Sequence, residues 1–238
     1  MAEQIVIRAP EFDALVAYGI GGLAVLMAVL CIVCCSFGDR RRAWQMTVGF
    51  ALLMGLSALA AATGWLTRFD VLPPPMLAMF VALLVISLAA GLSRWGYQVA
   101  TNTSLLALIG LQSFRFPLEL VMHHAANRAI MPVQLSYSGY NFDIVTGLGA
   151  VVLFTLLWLK LDVPRWFIWL WNLWGMYCLM VIVVIAVATS PLIRAFGNEP
   201  AKLNTWVLFF PYVWLPVVLV TIAITGHLLI TRKLWRTQ

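Results

Sequence analysis

TNTSLLALIGLQSFRFPLELVMHHAANR, residues 101–128, is apolar over most of its length yet carries Gln112, Arg115 and Glu119 near its middle. Read as a membrane span, it makes the chain a seven-helix bundle. Read as a loop, it leaves six spans and puts both termini on one side. Around it lie six plainer apolar runs, 14–36, 44–66, 75–93, 144–160, 166–188 and 206–230, and the ambiguous one covers 99–122. Each is near the roughly 20 residues that a bilayer-crossing helix needs.

The composition supports the membrane reading. Of 238 residues 63% are hydrophobic and 10% charged, against about 45–50% and 25% in soluble globular chains. That excludes a water-soluble globule and leaves too little chain for a separate soluble domain, so residues 1–238 read as one all-α, polytopic transmembrane domain. The net charge of +6 then reflects topology rather than nucleic-acid binding, because cytoplasmic loops collect Lys and Arg. The N-terminal stretch holds Glu3, Glu11 and Asp13 against Arg8. It lacks the basic region of a signal peptide, so the first run is expected to be retained.

Basic residues choose between six spans and seven. With seven spans and the N-terminus outside, Arg40, Arg41, Arg42, Arg94, Lys160, Arg165, Arg232, Lys233 and Arg236 face the cytoplasm, and Arg8, Arg68, Arg128, Arg194 and Lys202 face out. The excess is on the cytoplasmic side, as expected. Six spans weaken that bias. Trp44, Trp65, Trp95, Trp158, Trp166, Trp206 and Trp235 fall near the proposed span ends, where interfacial aromatics gather. The expected location is a cytoplasmic (inner) membrane.

A parallel 3+1+3 repeat is legible in two matches. Phe12, Asp13 and Gly19 correspond to Phe142, Asp143 and Gly149; Val71, Leu72, Pro75, Val81 and Leu83 correspond to Val207, Leu208, Pro211, Val217 and Leu219. The fourth span would be the linker.

At about 100° per residue, with Gln112 at zero, Arg115 lies at about 300°, Glu119 at 340°, His123 at 20° and Asn127 at 60°. These five share a face about 120° wide. A charge near the bilayer centre costs roughly 2.5–3.5 kcal/mol, so the face should turn to the bundle interior. Arg115 and Glu119, four apart, are placed for a salt bridge. Pro117 should kink the helix between them and free the Ser113 carbonyl. In the loop that follows, VQLSY and YNF around Ser138 and Gly139 predict a short hairpin over the pocket. Asn141 and Asp143 lead from it into the fifth span. In the seventh, Pro211 and Pro216 bracket Tyr212 and Trp214, which predicts a bent helix at the depth of Arg115. His227 falls near the inner end of that helix.

Seven spans and an outer N-terminus resemble the microbial rhodopsins, but the retinal lysine that resemblance implies has no counterpart in the last span: Lys202 precedes it and Lys233 follows it. The span count and the 3+1+3 plan resemble the SWEET sugar transporters, whose prolines in the first and fifth spans are missing here. The seven-span zinc hydrolases need more converging histidines than the three present. His123, His124, Glu119 and Asp143 are competent metal ligands, but adjacent helical histidines point about 100° apart. No metal or other cofactor is expected. Cys31, Cys34, Cys35 and Cys178 lie in apolar runs and give no disulfide framework.

The reading is an outward-facing polar pocket of Gln112, Arg115, Glu119, His123, Asn127, Asn141, Asp143, Tyr212 and Trp214. It would bind or transport a small anionic or zwitterionic molecule, with Arg115 as anion clamp and Glu119 as proton carrier. Two alternatives are a membrane enzyme acting on lipid or isoprenoid head groups, with Glu119 or His123 as base, and a structural or assembly subunit. The partners expected are the lipid bilayer and a small molecule. A homo-oligomer is open and nucleic acid is not expected.

Overall fold

A computed structural model describes residues 7–236; Glu3 of the acidic N-terminus lies outside them. The described residues hold helices and turns and no strand. Asp13 starts α1 (Ala14–Cys35) by accepting the Val16 amide at 3.1 Å, and Asp39 starts α2 (Arg40–Ala62) in the same way. Such caps satisfy donors that the first turn leaves free. Pro75, whose missing N–H costs nothing at a helix start, opens α3 (Pro75–Leu92). Ser93 both receives the end of α3 and caps α4 (Arg94–Asn102).

The ambiguous stretch is helical but broken, with α5 (Leu105–Gly110) and α6 (Arg115–Asn127) joined by turns. Next come α7 (Asp143–Trp158) and α8 (Arg165–Ala188). The last helix, α9 (Thr221–Arg236), grows out of a π-helical segment, Leu215–Val220. Pro216 lies in that segment and supplies no amide, so the ladder shifts there. Among the described residues six helical stretches are long and apolar enough to cross a membrane: α1, α2, α3, α5–α6, α8 and Leu215–Arg236. The seventh candidate, α7, is apolar but shorter, at 16 residues.

The stretch Leu215–Arg236 is the most buried of these and α2 the least. Around α9 pack α3, α4, α5 and α8, while α6 lies between α1 and α7. Leu52, Leu56, Val81, Val85, Leu170, Leu173 and Val184 are exposed apolar side chains on the outer helices, a surface suited to lipid. Arg232 donates to the Gly91 and Ser93 carbonyls at 2.7 and 2.8 Å, and Arg236 lies over the Tyr97 ring. The basic end of α9 therefore closes the end of the bundle where α3 stops and α4 starts.

The loop before α7 corrects the hairpin expectation. Val133–Leu135 form a 3-10 turn and Ser138 and Gly139 lie in a non-strand turn. The Tyr140 amide returns to the Gln134 carbonyl at 3.2 Å, which closes the loop without a strand pair.

Candidate functional site

The site is built on the break between α5 and α6. There Gln112, Ser113, Arg115 and Phe116 donate their amides three residues back, to Ile109, Gly110, Gln112 and Ser113. Pro117 sits at the third position of α6, where no amide is required of it, and the Ser113 carbonyl takes Phe116 instead. The irregularity expected between Arg115 and Glu119 thus falls one turn earlier. Gly147 lets α7 touch it, since a β-carbon there would strike the Phe116 amide and the Arg115 carbonyl carbon.

At this break all three guanidinium nitrogens of Arg115 have partners. Nε donates to Asp143 Oδ2 at 2.6 Å, Nη2 donates to Asp143 Oδ1, and Nη1 meets His227 Nε2 at 2.5 Å. Arg115 is 1% and Asp143 4% exposed. Arginine can only donate, so His227 accepts at Nε2 and offers Nδ1–H to Asn172 Oδ1, 2.8 Å away. Asn172 donates to Thr231 Oγ1 at 2.8 Å, and Thr231 donates to the His227 carbonyl. The Trp171 ring lies 5.5 Å from the His227 ring and donates Nε1–H to the Thr146 carbonyl. One buried chain of polar contacts therefore joins α6, α7, α8 and α9.

The salt bridge that spacing predicts between Arg115 and Glu119 is replaced by Arg115–Asp143. Glu119, also 1% exposed, turns Oε1 to Asn141 Nδ2 at 2.8 Å. Asn141 also donates to the Leu135 carbonyl and accepts the Asp143 amide at 3.1 Å, so one amide fixes the loop, Glu119 and the start of α7 together. Glu119 Oε2, both side-chain polar atoms of Gln112 and Ser113 Oγ are buried without a partner. The Gln112 amide rests against Gly226 of α9. Each unmade buried bond costs about 1–3 kcal/mol. Four such atoms on Gln112, Ser113 and Glu119 mark a place suited to a polar guest.

Gln112, Arg115, Glu119, Asn141 and Asp143 are thus buried together in this region. Others are placed elsewhere. His123 bonds Ser138 Oγ at 2.7 Å and stacks on Tyr137 with centroids 4.3 Å apart. Asn127 is exposed at the end of α6. Tyr212 and Trp214 line a cavity of about 650 Å³ with Phe12, Tyr18 and Gly21, because residues 206–213 form a 3-10 turn followed by a bend and turns rather than the outer half of an α-helix. Trp214 donates to the Met54 carbonyl at 3.1 Å.

Of the metal-ligand candidates, His124 turns to Asp13 at 3.1 Å. Among the described residues no three His, Cys, Asp or Glu side chains gather to hold a metal ion. The Val16 amide, and after it His124, hold the Asp13 carboxyl below its usual range.

His227, Asn172 and Thr231 were not among the expected site residues. Their signal was spacing: Thr231 is one turn from His227, and Asn172 is a lone amide among tryptophans in WFIWLWNLW. The last helix also runs on to Arg236, past the expected end at 230, which places His227 inside it rather than near its end.

This arrangement, with six helices able to cross a bilayer, marks a multi-pass membrane protein. Residues 72–235 match the family described as a domain of unknown function, DUF8737, and the chain belongs to that family. The match takes in Arg115, Asp143, Asn172 and His227. No curated protein and no solved structure matches the chain.

Proposed function

We propose that the protein binds or transports a small anionic or zwitterionic solute at the break of its fourth span, with proton coupling. The observation that carries this is the Arg115–Asp143 pair beside the unpartnered carboxyl oxygen of Glu119 and the amide of Gln112. Asp143 acts as an internal stand-in for the solute's carboxylate: both present two oxygens to the guanidinium fork. An arriving anion displaces Asp143 from Arg115, and the added negative charge is offset by a proton on Glu119. The groups facing this exchange are Arg115 and Glu119 from α6, Asp143 from α7, Cys178 from α8 and His227 from α9.

In this reading the helices cross seven times, with α7 as the short crossing, the N-terminus outside and the C-terminus in the cytoplasm. The 3+1+3 plan gains support from a likeness between two carboxylates. Asp13 at the start of α1 pairs with His124 and Arg128, and Asp143 at the start of α7 pairs with Arg115. Each joins its unit to α6, the proposed linker.

The test is flux in proteoliposomes loaded with a pH-sensitive dye and challenged with acetate, lactate, glycine and alanine. The reading expects at least one of these to move protons, and expects Glu119→Gln to uncouple proton from solute. Silence toward both the carboxylates and the amino acids contradicts it.

A structural reading has one observation of its own. All three guanidinium nitrogens of Arg115 already have protein partners, which suits a network whose role is to order four helices. It expects an Arg115→Met/Asp143→Leu protein to fold and support the cell as the unaltered protein does.

A further inference from the structure

A second site lies apart from Arg115. Between the start of α3, the end of α8 and the π-helical segment is a cavity of about 190 Å³. Its walls are largely apolar, with Phe80, Ile182, Ala186 and Val220 among them. Three polar side chains, Ser190, Asn204 and Trp206, also line it. Trp206 is 1% exposed, and neither its Nε1–H nor Asn204 Oδ1 has a partner. Buried indole N–H groups normally find an acceptor, so the pair leaves one donor and one acceptor unused beside an apolar hole.

We propose that this cavity binds a hydroxyl-headed apolar molecule taken from the membrane. A hydroxyl both accepts and donates: its oxygen takes the Trp206 N–H while its proton goes to Asn204 Oδ1. A ketone would leave Asn204 unmet, an ammonium would leave Trp206 unmet, and a carboxylate would set its charge against the Asn204 oxygen. The cavity exceeds the roughly 150 Å³ that admits benzene. It therefore holds a ring or a short chain, and a longer tail leaves past Leu192 and Ile193, which line the cavity and are 47% and 56% exposed. The wall formed by Leu215, Pro216 and Val220 belongs to a π-helical segment, a form that recurs at functional sites. The proposal stands independently of the Arg115 reading.

The experiment uses the full chain in lipid nanodiscs with a diazirine-bearing octanol as photoprobe, and 1-octanol and n-octane as competitors. Labelled peptides are mapped by mass spectrometry. Labelling is expected in 182–193 and 204–208, with protection by octanol at concentrations where octane protects little. Trp206→Phe should weaken octanol protection about 3- to 10-fold, the worth of one hydrogen bond, and leave the effect of octane unchanged. If that variant fails to fold, Asn204→Leu reads the same hydroxyl from its other partner. Ala186→Phe, which fills the hole, should remove the labelling. Equal protection by octane and octanol, labels spread evenly over lipid-facing helices, or undiminished octanol protection in a folded Trp206→Phe or Asn204→Leu protein would overturn the proposal.

Discussion

Arg115, the first residue of α6, holds both carboxylate oxygens of Asp143, the first residue of α7, across 28 positions of sequence. Both are buried, so each is the other's main substitute for water. Removing one partner of such a pair typically costs about 3–5 kcal/mol, because the remaining charge is stranded, whereas replacing both by apolar groups is often neutral.

Arg115→Met and Asp143→Leu should therefore each destabilise the protein strongly, and the double variant should be more stable than either single one. Unfolding curves in one fixed detergent measure this. Additive losses would show that the two side chains do not act as a pair.

The glycines at the site separate by what they face. Gly147→Ala meets backbone, Phe116 N and Arg115 C, whereas Gly226→Ala meets the flexible end of Gln112. Overpacking costs about 1–3 kcal/mol. Gly147→Ala should fall at the upper end and Gly226→Ala at the lower, with Gln112→Ala relieving Gly226→Ala and not Gly147→Ala. Thermal unfolding of the four variants tests the ordering.

His227→Leu leaves Arg115 Nη1 without its acceptor, and Asn172→Leu leaves His227 Nδ1–H without one. Each should cost about 1–3 kcal/mol, and because they belong to one chain of contacts the double variant should cost less than their sum. A double-mutant cycle on unfolding midpoints checks the coupling.

Asp13 gives a pH prediction. Its carboxyl is lowered first by the Val16 amide and then by His124. A depressed acid contributes stability that is full above its unfolded value of about 3.9 and is lost as pH falls through the lower folded value. Asp13→Ala should flatten that acid limb of a stability profile taken from about pH 6 to pH 2 and leave its neutral limb parallel to the original. An acid limb as steep as before would contradict the assignment.

Much of this was legible in the sequence. The starts of α1 and α3 follow from Asp13 and Pro75, and spacing on one helix found Gln112, Arg115 and Glu119 on a common buried face. Spacing on one helix says which residues share a side, not which neighbour arrives there. Asp143 therefore takes Arg115 from Glu119, and Asn141 takes Glu119. Hydropathy marks an apolar run without marking where a helix begins in it. Residues 206–213 are apolar but form a 3-10 turn, a bend and turns, which draws Tyr212 and the neighbouring Trp214 off to another cavity. The late start, together with an end at Arg236 rather than 230, centres His227 within Leu215–Arg236.

Proton-coupled solute flux tests the central claim most directly, in proteoliposomes of the unaltered protein and of folded Glu119→Gln and Arg115→Met/Asp143→Leu variants challenged with lactate and alanine. The account predicts dye acidification with at least one solute, uncoupled in Glu119→Gln and absent in the double variant. No solute-dependent proton movement in any of the three, or equal movement in all of them, would contradict it.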